Sequence, residues 1–82
     1  MARSARSRAL KRAADRFPEL FGPRLAVARR EAGLSQEELA DKCGVGMRSV
    51  TRYEAGESLP DASVVLRLAA ALDVDHNRLL CI

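Results

Sequence analysis

Aromatic residues are scarce in this 82-residue chain: they make up 4% of it, and tryptophan is absent. Sheet cores draw heavily on aromatic and β-branched residues, whereas Leu and Ala are strong helix formers. A core built mainly from Leu, Val and Ala therefore favours packed helices. Because a chain of this length supports one core and one domain, the composition predicts a single all-α domain.

Long apolar runs are also missing, so no transmembrane helix is predicted. The basic start, MARSARSRALKRAADR, is followed by no apolar segment of the kind that marks a signal peptide. Cys43 and Cys81 do not form a zinc-binding pattern, and the residues offer neither a nucleophile with its base and orienting group nor a glycine-rich phosphate loop. We expect no metal, no cofactor, no membrane partner and no enzymatic activity, and we expect a cytoplasmic, nucleoid-associated location.

The charge is distributed unevenly along the chain. Residues 1–30 hold nine basic residues against two acidic ones, although the whole chain has a net charge of only +3. We interpret residues 1–16 as a basic, Arg-rich arm, flexible or partly helical, with residues 17–82 as the folded domain. Such an arm suits a polyanion such as DNA; the alternative is a disordered tail that aids solubility. The arm residues expected to contact DNA phosphates are Arg3, Arg6, Arg8, Lys11 and Arg12.

Five short helices are predicted after the arm. Pro23 suits the first turn of a helix better than its middle, so the first core helix is expected over residues 23–32. Ser35 and Glu38 form the S-x-x-E pattern of a capping box that opens the second helix. The third helix spans 47–55, the fourth follows Asp61 as its cap, and a last short helix, HNRLLCI, follows Asp75.

Several of these segments together resemble the Cro and lambda-repressor type of helix-turn-helix domain, the XRE family. The resemblance covers about residues 21–80 and depends on GLSQEELA at 33–40, GVG at 44–46, YEAG at 53–56 and VLRLAAAL at 65–72. It implies a compact five-helix, lambda-repressor-like DNA-binding fold. It also implies a sequence-specific transcriptional regulator of double-stranded DNA, acting as a repressor, that reads the major groove with the helix 47–55.

The third helix has one face that points outward. Val50 and Tyr53 are spaced to face the core, so the 3.6-residue period turns the neighbouring positions toward solvent. The resemblance assigns base contacts to four of these outward residues: Met47, Arg48, Thr51 and Arg52. It assigns phosphate contacts to Ser35 and Gln36, to which we add Ser49. It further implies a structural ion pair between Arg29 and Glu54.

Two features depart from the family pattern. Gly46 stands where a Ser or Thr often caps the recognition helix, and the loop GESLPD is acidic where relatives place basic residues. Phosphate attraction would then have to come from the arm. A homodimer on two half-sites is expected, and the exposed residues expected at its interface are Leu79, Leu80 and Ile82. The alternative function is an antitoxin or adaptor module that mainly binds another protein, with DNA binding secondary.

Overall fold

The computed structural model describes residues 5–80, and these fold into five α-helices with no strand among them. The predicted all-α, five-helix fold is confirmed. Arg3 of the predicted phosphate contacts, Ile82 of the predicted dimer interface and Cys81 of the predicted last helix lie outside the described residues. The helices are α1 (Ala5–Glu31), α2 (Gln36–Cys43), α3 (Met47–Ala55), α4 (Ala62–Leu72) and α5 (His76–Leu80).

Helix α1 is far longer than predicted, because it runs without interruption from Ala5 to Glu31 and contains both Pro18 and Pro23. The expectation that the first core helix begins at Pro23 is therefore wrong. Each proline removes one backbone hydrogen bond, but aromatic packing holds this stretch: the rings of Phe17 and Phe21 lie 5.1 Å apart. The described part of the predicted arm, residues 5–16, is helical and continuous with the first core helix.

Helices α2 and α4 begin at the capping residues predicted from the sequence, Ser35 and Asp61. The capping box at α2 is complete, since Glu38 N–H donates to Ser35 Oγ at 3.0 Å and Ser35 N–H donates to Glu38 Oε1 at 2.9 Å. At α4, Val64 N–H donates to the Asp61 carboxylate at 2.9 Å. These contacts satisfy backbone donors that a helix N-terminus otherwise leaves unpaired, and they fix where α2 and α4 begin.

The core lies where all five helices meet. Its largest fully buried side chains are Phe21, Leu25, Leu39, Val50, Leu68 and Leu79. The expectation that Leu79 is an exposed dimer contact is wrong: it is 0% exposed and packs inside its own chain, because α5 folds back against α1 and α4. Leu80 is only partly buried.

The N-terminal half of α1 extends beyond this core. A helix of this length spans about 40 Å, and the longest dimension of the molecule is 48 Å against 24 and 20 Å for the other two. None of the helices formed by residues 5–80 combines the length and the apolar character that crossing a membrane would require.

Candidate nucleic-acid interface

Helices α2 and α3 are joined by a short turn through residues 44–46. Gly44 adopts the left-handed conformation, with φ at 77°, and its N–H donates to the Ala40 carbonyl. This backbone region carries little penalty for glycine but a steric one for most other residues. Ala40 is 1% exposed, so a methyl group occupies the contact where larger side chains would separate the helices. The result is a helix-turn-helix unit.

The two faces of α3 differ in their surroundings. On the inner face Val50 is 0% exposed, and the Tyr53 ring packs edge-on against Phe21 with centroids 6.4 Å apart. The outer face, which we define as the four predicted base-contacting residues, is exposed throughout: Met47, Arg48, Thr51 and Arg52. Met47 is 51% exposed and does not pack into the core cluster.

The expected ion pair between α1 and α3 is present. Arg29 Nε donates to Glu54 Oε2 at 2.6 Å, and Arg29 Nη2 donates to Glu54 Oε1 at 3.1 Å. The third contact of the guanidinium is to the Leu34 carbonyl, at 2.8 Å. Both side chains are largely buried, with 12% and 8% exposure. Arg29 therefore joins α1, the loop before α2, and the end of α3.

The pair sets the protonation of both partners. Burial by itself would raise the pKa of Glu54, but hydrogen bonds from Arg29 and Gln36, together with the charges of Arg29 and Arg30, bring that pKa below its ordinary value. The hydrogen bond to Glu54 raises the pKa of Arg29. Glu54 is thus held as a carboxylate, the form that its donors require.

Gln36 extends this pair into a network that the sequence did not predict. Its Nε2 donates to Glu54 Oε1 at 3.1 Å, and its Oε1 lies 2.9 Å from the Thr51 hydroxyl. That hydroxyl also lies 3.1 Å from the Met47 carbonyl, and its single proton can serve only one acceptor at a time. The network fixes α2 to α3 directly beneath the outer face.

The predicted phosphate contacts retain free donors despite these bonds. A glutamine amide has two N–H groups, and Gln36 uses one of them internally. Ser35 Oγ accepts the bond from Glu38 N–H, which leaves its own proton available. Ser49 is partly buried, and Gly46 gives α3 an N-cap with no side-chain hydrogen bond.

Gly22 is a structural residue that the sequence analysis missed. It is buried in α1, and a Cβ placed there would lie 2.7 Å from the Glu54 carbonyl oxygen and 2.8 Å from that of Tyr53. Only the absence of a side chain lets α1 approach the end of α3 this closely. A glycine within a helical pattern is the signal that could have pointed to it.

The basic residues of the N-terminal half of α1 are exposed: Arg6, Arg8, Lys11 and Arg12. At about 100° per residue, Lys11 lies on the same side of α1 as Gly22 and Arg29, the two residues that contact α3. Within residues 5–80, no group of His, Cys, Asp and Glu side chains could hold a metal ion.

The described chain thus has five helices, and two of them form a helix-turn-helix unit. The second helix of that unit packs on the core with one face and exposes the other. These features define the class of helix-turn-helix proteins. The family model described as helix-turn-helix matches residues 25–79. The chain belongs to this family, as its resemblance to XRE-type domains predicted.

Similar proteins have regulatory names. The chain is 34% identical over 56 residues to the cryptic phage CTXphi transcriptional repressor RstR of Vibrio cholerae, covering 68% of this chain and 50% of that protein. It is 36% identical over 60 residues to the HTH-type transcriptional regulator ImmR of Bacillus subtilis, covering 73% and 47%. The chain thus spans about half the length of these relatives.

A solved structure is similar over most of its length. The restriction-modification controller protein C.AhdI from Aeromonas hydrophila superposes with a TM-score of 0.70 at 39% identity, covering 72% of this chain and 89% of that one. The family match begins at residue 25, so the whole N-terminal half of α1 lies outside the family match.

Proposed function

We propose that this protein is a transcriptional regulator, a repressor, that binds a specific double-stranded DNA sequence by placing α3 in the major groove. The observation that carries the proposal is the contrast between the faces of α3. Its inner face is fixed by Val50, Tyr53 and the Glu54 network, while all four outer residues remain exposed. A rigid helix with exposed arginines fits the width of the major groove.

Arg48 and Arg52 are the proposed readers of guanine. An arginine can donate two hydrogen bonds to guanine O6 and N7, and such a pair contributes about 1–3 kcal/mol of discrimination. Neither arginine forms an ion pair within the described chain, so both guanidinium groups are available. The half-exposed Met47 offers apolar contact to a thymine methyl group. Thr51 is the weakest candidate for a base contact, because its hydroxyl already forms hydrogen bonds inside the protein.

Phosphate contacts are proposed on both sides of this face. Ser35 and Gln36 lie at the N-terminal end of α2, where unpaired N–H groups and the helix dipole favour an anion. Ser49 is proposed to approach the backbone from the first turn of α3. These contacts would set the position of α3 in the groove without reading sequence.

The basic residues at the start of α1 are proposed to supply further phosphate contacts. We expect Arg8→Gln with Lys11→Gln, on the side of α1 that faces α3, to weaken DNA binding and to reduce its salt dependence. Each lost phosphate contact lowers the slope of log K against log salt by about 0.9. Deleting residues 1–16 should lower the slope further. An unchanged slope in both variants would refute the phosphate role of the arm.

Two copies of the chain are proposed to bind one operator, since a single domain touches too few base pairs for high specificity. With Leu79 buried, Leu80 is the described residue of the predicted interface that remains accessible. It lies in an apolar groove whose other lining residues are Leu10, Ala13, Ala14 and Phe17. A cytoplasmic location follows from this function as part of the same proposal.

Selection of binding sites from random DNA tests the function. We expect an enriched, two-fold symmetric site, and we expect Arg48→Ala and Arg52→Ala each to relax the preference at one position per half-site. Arg67→Ala is the matched control, because Arg67 is exposed on α4 and should leave the selected sequence unchanged. Failure to enrich any sequence would overturn the proposal.

A further inference from the structure

A second basic surface lies along α1 and is distinct from the outer face of α3. Two adjacent shallow grooves, of about 220 and 300 Å³, follow the helix and share Arg24. We call their combined lining the back face of α1; it comprises Ala9, Arg12, Ala13, Arg16, Leu20, Pro23, Arg24, Val27 and Arg78. Apolar side chains form its floor, and arginines stand along its length.

The charges of this face are largely uncompensated. Ion pairs among the described residues involve Arg29, Arg78 and His76, so neither Arg16 nor Arg24 has an acidic partner. Only Arg78 is neutralised, by Glu31. No acidic residue lines either groove. The face therefore offers three guanidinium groups that are unpaired within residues 5–80, those of Arg12, Arg16 and Arg24, beside exposed apolar surface.

The apolar component is substantial for a surface helix. Val27 is 49% exposed although it lies within the family match, and Leu20 is only partly buried. Isolated exposed apolar residues need no explanation, but apolar residues aligned in a groove indicate a contact surface. Ala9 and Ala13 continue this floor for two further turns toward the N-terminus.

The face also points away from the helix that is proposed to read DNA. Gly22 touches α3, and at about 100° per residue Arg16, Arg24 and Val27 lie about 120–160° around α1 from it. A duplex held against the outer face of α3 is therefore on the other side of α1 from these residues. Arg12, at about 80° from Gly22, lies at the border between the two surfaces.

We propose that the back face of α1 binds an acidic amphipathic helix of a partner protein. Arginine forms bidentate hydrogen bonds with carboxylates, and the apolar floor would accept the hydrophobic stripe of such a helix in the manner of helix-in-groove recognition. A DNA backbone would satisfy the arginines but would leave Leu20 and Val27 in contact with phosphates. A partner bound here would modulate a DNA-bound regulator without competing for its operator, a role that goes beyond the proposed DNA binding.

The test uses the full chain and a synthetic helical peptide with leucines along one side and glutamates on both flanks. A second peptide replaces every glutamate with lysine. Binding is followed by fluorescence anisotropy at physiological ionic strength, where charges more than about 8 Å apart are largely screened. The glutamate peptide should bind and the lysine peptide should not.

Three variants identify the surface. Arg16→Glu with Arg24→Glu should weaken binding of the glutamate peptide at least about tenfold. The charge-matched control Arg8→Glu with Lys11→Glu, on the side of α1 that faces α3, should change it by less than about threefold. Val27→Lys distinguishes binding to the apolar floor from purely electrostatic binding. It adds a positive charge, so it should strengthen a purely electrostatic association but weaken one that uses the apolar floor. Circular dichroism of each variant verifies that the helical fold is kept.

The outcomes separate this inference from the proposed function. Peptide binding that depends on Arg16, Arg24 and Val27 supports the back face even if no DNA sequence is selected. No binding of the glutamate peptide, equal losses in the control pair, or stronger binding by Val27→Lys would each overturn it. So would a loss of DNA affinity in Arg16→Glu with Arg24→Glu as large as that in Arg8→Glu with Lys11→Glu, because the face would then belong to nucleic acid.

Discussion

The nine-residue helix α3 has an inner face that holds the fold together and an outer face whose charged groups are unpaired among residues 5–80. On the inner face every polar group of the described network is paired, with Glu54 bound by both Arg29 and Gln36. On the outer face Arg48 and Arg52 have no ion pair in the described chain. Substitutions on the inner face should therefore change the free energy of unfolding, and substitutions on the outer face should change DNA binding.

The rigid inner face supports the proposed selectivity of the outer face. An arginine that moves freely loses side-chain entropy on binding, but its backbone need not reorganise if the helix beneath is already fixed. The hydrogen bonds from Gln36 and Arg29 provide that fixed base. Thr51 belongs to both faces. It is exposed on the outer face, but its hydroxyl forms hydrogen bonds inside the protein, with Gln36 and the Met47 carbonyl.

The largest effect on stability is expected for Arg29→Ala. It leaves the carboxylate of Glu54 buried with one donor fewer, and it removes the hydrogen bond to the Leu34 carbonyl. Breaking one side of a buried pair costs about 3 kcal/mol or more. Urea denaturation measures this loss, and the adjacent, exposed Arg30→Ala should cost less than about 0.5 kcal/mol. Equal effects of the two variants would show that the pair contributes nothing special.

Gly22→Ala should come next, with a loss of about 1–3 kcal/mol from overpacking. Alanine is normally better than glycine in a helix interior by about 1 kcal/mol, so the sign of the change is itself informative. The new Cβ would meet two backbone carbonyl oxygens that cannot rotate away. Gly46→Ala is the comparison without a clash, since nothing lies within 4 Å of its Cβ position, and its smaller loss reflects only a weaker N-cap. If Gly22→Ala raised the free energy of unfolding, α1 and α3 would have to be able to move apart enough to admit the methyl group without loss of stability.

These two positions illustrate what the sequence does and does not reveal. Arg29 and Glu54 could be paired only through the family resemblance, because 25 residues separate them and no local pattern connects them. Gly22 lies in none of the family motifs, and its role depends on the contact of α1 with the end of α3. The exposed outer face, by contrast, follows from the period of a helix whose core positions are recognisable as Val50 and Tyr53.

Helix boundaries were predicted well at α2 to α4 and poorly at α1. Capping residues such as Ser35 and Asp61 act through local hydrogen bonds, so their effect can be read from a few neighbouring residues. Pro18 and Pro23 suggested a break for equally local reasons. In the structure, packing of Phe17 and Phe21 and the good helix formers before them outweigh the missing hydrogen bonds. The burial of Leu79 likewise depends on how α5 meets α1, which spacing alone cannot give.

Acid should weaken the inner face of α3, because its contacts to Arg29 and Gln36 depend on the Glu54 carboxylate. The pKa of Glu54 in the folded state lies below its ordinary value of 4.5, so its contribution to stability is complete above that value and is lost as the pH falls through the folded-state pKa. We expect the free energy of unfolding from urea titrations to decline in this range. Glu54→Gln should be less stable at neutral pH but should show a shallower decline.

Glu38→Gln is the comparison for this pH series. The pKa of Glu38 is also lowered, by hydrogen bonds to Ser35, but Glu38 is an exposed residue and its pair is local. Its removal should leave most of the acid dependence in place. If Glu38→Gln flattened the pH profile as much as Glu54→Gln, the capping box rather than the buried network would be the acid-sensitive element.

The smallest effect is expected at the N-terminus of α3, where the two faces begin. Gly46 has the extended conformation of an N-cap, with φ at −75° and ψ at 150°, and supplies no side-chain bond. In Gly46→Ser the hydroxyl could accept from Ser49 N–H, which should raise the free energy of unfolding by a few tenths of a kcal/mol. Gly46→Ala lacks the hydroxyl and should be less stable than either. Because the serine would also present a proton toward the side from which DNA is proposed to approach, DNA affinity should rise along with stability. A serine variant that is stabilised without any gain in affinity would place the start of α3 out of reach of the phosphates.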